Sequence, residues 1–214
     1  MFKAGIFQIF IGLIRKVAIA DNLGLYVDSV YLDVGIHNSS TLLLATVFWA
    51  FQIYFDFSGY SDIAIGSAKL LGFKFHKNFD LPYFSQSLTI FWRKWHISLS
   101  SWLRDYLYIS LGGNRKGIKI TYRNLLITML LGGLWHGNTW NFVIWGGIHG
   151  LALSGEKYIF SLLNIKNKSF GFIGYFYTFL VVLLAWVFFR AQSFDDAITA
   201  VSYTHLTLPT ICSV

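Results

Sequence analysis

The sequence predicts an all-α fold, a polytopic membrane bundle in which broken or re-entrant helices surround a central cavity. Three observations carry this reading. Only 13% of the 214 residues are charged, while 55% are hydrophobic and 19% aromatic, against about 25% charged in soluble globular proteins. Residues 124–155 form a stretch of 32 without Asp, Glu, Lys or Arg, longer than one spanning helix of about 20 residues and short for two. Residues 169–189 form a second charge-free run, of 21 residues, closed by Arg190.

Taken in order, residues 6–20 read as an interfacial or partly inserted helix, ending near Asp21 and Asn22. The preceding residues lack the basic start and small-residue cleavage site of a signal peptide. Residues 31–40, with Asp33, Gly35, Asn38 and Ser39, read as a loop on the non-cytoplasmic side. The apolar run 41–55 leads through Asp56 and Asp62 into 63–73, predicting one long or kinked helix with two carboxylates near its middle. Residues 74–82 are a polar connection limited by Pro82. The block 91–105 predicts an aromatic helix with Trp92, His96, Leu99 and Leu103 on one face and Arg93, Ile97, Ser100 and Arg104 on the next. Residues 112–123 hold four of the seventeen basic residues within nine positions and no acid, which places that loop in the cytoplasm by the positive-inside bias. The run 124–155 must be interrupted, with Gly132, Gly133, Gly137 and Asn138 as the breakers. Residues 157–168 are a short polar connection before the 169–189 span.

Composition excludes several functions. The +7 net charge belongs to membrane topology rather than nucleic-acid binding in so apolar a chain. The single Cys212 builds neither an internal disulfide nor a metal site, and no metal is expected. The glycines at 112–117 lack the G-x-x-x-x-G-K-[ST] spacing of a phosphate loop.

The candidate chemistry centres on residues 132–150, where His136 and His149 lie in an otherwise lipid-compatible segment. An ionisable group at membrane depth is costly and marks function. Irregular backbone there survives only if buried in protein or lining a wet cavity, so His136 is expected at a helix break facing a cavity. The competing reading is a histidine bonded to a neighbouring helix. Asp56 and Asp62, six apart and about 120° out of line on a helix, fit interior pairing with basic or hydroxyl groups better than an acid–base dyad. The 91–105 helix suits either a lining for a polar head group or a plain interfacial anchor.

At Val201 the character of the sequence changes, and residues 201–210 back-translate to something close to a transposon-type sequencing adapter. Residues 201–214 are therefore expected to be artefactual, leaving 1–200 as the natural domain.

Four ordered blocks then carry a resemblance: YFDFSGYSD at 54–62, FWRKWHISLS at 91–100, WLRDYLYI with LGGNR at 102–115, and LWHG at 134–137. Together they resemble the membrane-bound O-acyltransferases, most closely the bacterial branch that O-acetylates alginate. Ser110 and Asp80 depart from that branch, which usually has proline and asparagine there. Relatives carry further helices before and sequence after this stretch, so Met1 is expected to be an internal start and the chain a partial membrane domain.

The resemblance implies a multi-pass protein of the bacterial inner membrane that moves an acyl group, usually acetyl, from a cytoplasmic donor toward hydroxyls of an extracytoplasmic polysaccharide. It implies His136 and His96 as catalytic residues, with Trp92, Arg93, Trp95, Arg104, Trp135 and Asn138 as substrate-binding candidates. His149, 13 residues on from His136 and about 140° away on a continuous helix, is expected to matter more for packing. The resemblance implies no bound cofactor, with acetyl-CoA or another acyl donor as co-substrate. The partners implied are the bilayer, the polysaccharide acceptor and a periplasmic acetyltransferase protein. A neutral imidazole near pH 7 can take the proton of an attacking hydroxyl, a general-base effect worth about 100- to 10,000-fold. His96 and nearby Trp or Asn donors could stabilise the oxyanion. Two other readings stay open: a transporter in which the helix break gates a substrate, and a non-catalytic scaffold of a polysaccharide-modification system.

Overall fold

The computed structural model describes residues 2–203, all of the regular structure of which is helical. Most of the stretch expected to be artefactual, residues 204–214, lies outside the described residues. The chain forms two compact units, Met1–Asn78 with the stretch from Arg190 onward, and Phe79–Phe189.

The first unit begins with helix α1 (Phe2–Leu13), which runs through a π-helical stretch (Ile14–Ala20) directly into α2 (Asp21–Tyr31). The expected end at Asp21 and Asn22 does not occur. A five-residue turn carries the chain across it: the Asp21 amide donates to the Lys16 carbonyl, and the Asp21 carboxylate pairs with Lys16 Nζ at 3.1 Å. Asn22 donates to the Ala18 carbonyl at 3.0 Å instead of terminating the helix. A short 3-10 turn (Val34–Ile36) occupies the expected loop, and Asn38 caps the next helix by accepting from the Thr41 amide at 2.9 Å.

Helix α3 (Ser39–Leu70) is one element of 32 residues, about 48 Å long. It packs antiparallel against α1 through opposed glycines. A Cβ on Gly12 would lie 2.6 Å from the Gly59 carbonyl oxygen, and one on Gly66 2.7 Å from that of Gly5. Such small-residue contacts let helix backbones approach closely where lipid supplies no hydrophobic drive. The approach also brings α3's carboxylates to partners: Asp62 pairs with Arg15 and accepts from Gln8 Nε2 at 2.9 Å, and Asp56 pairs with Lys16. Arg190 pairs with Asp28 at 2.6 Å and lies over the Tyr31 and Trp49 rings. After it, Ser193 and Asp196 form a capping box that starts the helix Phe194–Val201.

The second unit holds α4 (Leu88–Lys94), α5 (Ile97–Trp102), a π-helical stretch (Leu103–Tyr108), α6 (Ile118–His136), α7 (Trp140–Leu162) and α8 (Phe172–Arg190), with α9 (Phe194–Val201) following in the first. The α6 and α7 helices form an antiparallel hairpin about residues 137–139. Here too glycine sets the spacing: a Cβ on Gly133 would lie 2.1 Å from the Phe142 carbonyl oxygen, and one on Gly146 2.3 Å from that of Met129. Of the expected breakers, Gly137 and Asn138 do lie in the break, whereas Gly132 and Gly133 are helical. Among the described residues, Ser39–Leu70 and Phe172–Arg190 are long and apolar enough to cross a membrane.

The aromatic helix expected over 91–105 is corrected in one respect. It breaks at His96, whose φ of 42° and ψ of 58° are left-handed, a conformation costing a non-glycine residue roughly 1 kcal/mol or more. Trp92, His96, Leu99 and Leu103 therefore do not share one helical face.

Candidate active site

His136 is the last residue of α6, and Gly137 follows in an extended conformation with φ 172°. Only glycine fits at this point, since a Cβ would lie 2.3 Å from the Phe142 ring. The His136 ring is half-buried among aromatics, 5.2 Å from Trp145, 5.0 Å from Phe189 and 6.3 Å from Phe142 between centroids. Trp145 stands nearly perpendicular to it at 83°. One helical turn further along α7, His149 meets the same indole at 5.0 Å.

Glu156 completes the buried stripe of α7 that runs through Asn141, Trp145 and His149. Its carboxylate accepts from the Leu88 amide at 2.6 Å, the Thr89 amide at 3.0 Å and the Thr89 hydroxyl at 2.5 Å. A carboxylate at the first turn satisfies amides that have no partner within the helix. It thereby fixes α4, which presents Phe91 and Trp92 to His149 at 6.4 and 5.0 Å.

The end of α4 delivers His96. The Lys94 carbonyl accepts from the Asp80 amide at 3.0 Å, and Trp95 is buried against Phe79, Phe91 and Trp186. Trp186 in turn donates to the Tyr83 hydroxyl at 3.2 Å. With Lys94 and Trp95 anchored, His96 takes the strained turn. Its ring stacks on Phe79, and its Nδ1 lies 3.3 Å from Ser98 Oγ. Burial holds the His96 imidazole below its ordinary range, to about 4, and charge on His136 pushes it the same way. The two histidines, forty residues apart in sequence, both lie in the second unit.

The other sequence candidates divide. Trp92 lies in the cluster around Trp145 and His149, and Trp95 is in the core beneath it. Trp135 touches the His136 ring at 5.0 Å but is 65% exposed. Asn138 lies exposed in the break, and Arg93 is exposed on α4. Arg104 is exposed and committed to Asp105 through two bonds of 2.7 and 3.0 Å. The reading of His149 as lying about 140° from His136 assumed a continuous helix; the break at 137–139 removes that relation, and both rings meet Trp145. Trp145 and Glu156 were missed as candidates. The signal for Glu156 was its place as the first charge after the 32-residue run. A surface hollow of about 380 Å³ among Ala4, Lys69, Lys74, Phe75 and His76 lies in the first unit and includes none of these residues.

A family model described as the membrane-bound O-acyltransferase family matches residues 1–194. A probable alginate O-acetylase AlgI of Pseudomonas fluorescens is 50% identical over 92% of this chain and 39% of its own length. A peptidoglycan O-acetyltransferase of Helicobacter pylori is 41% identical over 91% of this chain and 37% of its own length. A teichoic acid D-alanyltransferase of Streptococcus thermophilus is 38% identical over 56% of this chain and 30% of its own length. The chain thus spans about two fifths of the length of the first two relatives.

Proposed function

The chain belongs to the membrane-bound O-acyltransferase family, and from that premise and the surroundings of His136 we propose that it serves transfer of an acetyl group from a cytoplasmic donor such as acetyl-CoA to hydroxyls of an extracytoplasmic polysaccharide. His136 acts as general base, taking the proton of the attacking hydroxyl. His96 is the supporting residue that orients the carbonyl or stabilises the oxyanion. The protein is multi-pass in the bacterial inner membrane, with the basic 112–123 loop cytoplasmic, and it works with a periplasmic acetyltransferase protein. Trp92, Arg93, Trp95, Arg104, Trp135 and Asn138 are its substrate-side residues, with Trp92 nearest the histidines' shared aromatic cluster.

The observation that carries the reading is the position of His136 at the end of α6, at a glycine-spaced helix break and among Phe142, Trp145 and Phe189. Names of relatives support the substrate class, since one is a probable alginate O-acetylase and another a peptidoglycan O-acetyltransferase. The test compares His136→Ala with His96→Ala in a full-length homologous setting, measuring membrane protein level alongside polymer acetylation. Loss of about 100-fold or more in His136→Ala at normal protein level is expected, since only a transition-state interaction is removed. Acetylation near wild type would refute the role and leave the scaffold reading.

A further inference from the structure

Three rings in the second unit form a triangle that packing alone does not explain. Trp92, Trp145 and His149 have centroids 5.8, 5.0 and 5.0 Å apart and are mutually tilted by 72–81°. Each carries polar nitrogen shielded from solvent and without a hydrogen-bond partner: Trp92 Nε1, Trp145 Nε1, and both Nδ1 and Nε2 of His149. His149 is 0% exposed and Trp145 2%. Leaving a buried donor or acceptor unmade costs about 1–3 kcal/mol, and buried polar groups are otherwise almost always paired. A leucine or phenylalanine at 149 would fill the space without that penalty.

We propose that Trp92, Trp145 and His149 form a buried hydrogen-bonding site for the carbonyl oxygen of the acyl group, an inference that rests on the acyl-transfer reading above. The chemistry of the nitrogens selects this ligand. Indole N–H only donates, and an uncharged imidazole adds one further donor and one acceptor, so the triangle suits an oxygen that accepts two or three bonds. A carbonyl accepts and carries no charge, which an aromatic enclosure tolerates; a carboxylate or phosphate would be penalised there. Trp92 is the one partly exposed member, so the acyl group enters on its side. Trp145 also borders His136 at 5.2 Å, which puts a bound carbonyl beside the proposed base. His149 thus moves from packing to substrate binding.

The test measures binding to the full-length homologous protein, purified in lipid nanodiscs, of two non-transferable probes. One is the carba analogue of acetyl-CoA, in which a methylene replaces the sulfur and the carbonyl is kept. The other is S-ethyl-CoA, which lacks the acyl carbonyl. Wild type should prefer the ketone by roughly 10-fold, the worth of one to two net hydrogen bonds. His149→Leu, which removes one of the donors, should reduce that preference about threefold without lowering the melting temperature, because it removes two unpartnered buried nitrogens. His149→Gln should retain part of it. Trp92→Phe, which keeps an aromatic ring and deletes the N–H, should reduce the preference about threefold and guards against misfolding of the leucine variant. His136→Ala should keep it, since the base acts only in turnover. Binding of both probes without preference in wild type, or an undiminished preference in His149→Leu, overturns the site while leaving the acyl-transfer reading intact. Failure of wild type to bind either probe overturns the acyl-CoA donor reading and this site with it.

Discussion

Replacing Glu156 by alanine is expected to destabilise the second unit by about 2–3 kcal/mol and to loosen α4 first. The carboxylate accepts at 2.6, 3.0 and 2.5 Å from Leu88 N–H, Thr89 N–H and Thr89 O–H. The neighbouring cap remains, since Ser87 accepts from the Ile90 amide at 3.2 Å, so the loss falls on two backbone amides and one hydroxyl. Each buried donor left unmade costs about 1–3 kcal/mol, and the hydroxyl can rotate toward another acceptor, leaving about 2–6 kcal/mol from the amides. Deletion also recovers part of the cost of burying a carboxylate, which brings the expected net to the lower part of that range. Glu156→Gln keeps one acceptor oxygen and the shape, so it should cost about half as much. Denaturant unfolding in detergent gives the free energies, and hydrogen exchange at the Leu88 and Thr89 amides reports the local opening. An alanine variant within about 0.5 kcal/mol of wild type, with both amides still protected, would refute the assignment of Glu156 as the clamp on α4.

Three further expectations can be checked separately. At His96, whose φ is 42°, glycine should be more stable than alanine by about 1 kcal/mol because it adopts the left-handed region freely; the reverse order in unfolding experiments would contradict a strained turn. Gly12→Leu should separate α1 from α3, since even a Cβ there lies 2.6 Å from the Gly59 carbonyl and 2.7 Å from Ile63 Cγ1. Overpacking of this kind costs about 1–3 kcal/mol, and unchanged stability in detergent would show that the helices do not meet at these glycines. A cysteine placed at Asn114, in the basic loop, should resist impermeant thiol reagents applied from outside the inner membrane, and labelling from that side would contradict the cytoplasmic placement.

The helical class and the position of the main break were legible because both depend on local chemistry. Charge-free runs favour helix at membrane depth, and the adjacent Gly137 and Asn138 are a strong local break signal. The span expected at 169–189 occurs as Phe172–Arg190, bounded by the same glycine-rich and basic flanks. The break at His96 was not legible, since Trp95, His96 and Ile97 carry no breaker residue. It arises from contacts distant in sequence: Asp80 on the Lys94 carbonyl, and Phe79 and Trp186 on the Trp95 ring. The continuity of α1 into α2 was hidden for the opposite reason. Asp21 and Asn22 look like terminators, and only the wider π-helical turn lets Lys16 reach the Asp21 carboxylate. Glu156 acts on amides 67 and 68 residues away, a relation that no periodicity in one helix records.

The spacing of α6 and α7 is set by an absence of matter. At Gly133 the space that a first side-chain carbon would need is taken by the Phe142 carbonyl oxygen, 2.1 Å away, and His136 lies three residues further along the same helix. Restoring an ordinary contact would require the two backbones to part by roughly 1 Å, a displacement that can cost about 100-fold when it separates reacting groups. The mechanical tolerance of the hairpin is therefore fixed upstream of its chemistry. On the acyl-transfer reading proposed above, room for a bulkier acyl group would have to come from side chains such as Trp92 or Phe142, because the helices themselves leave no slack to be taken up.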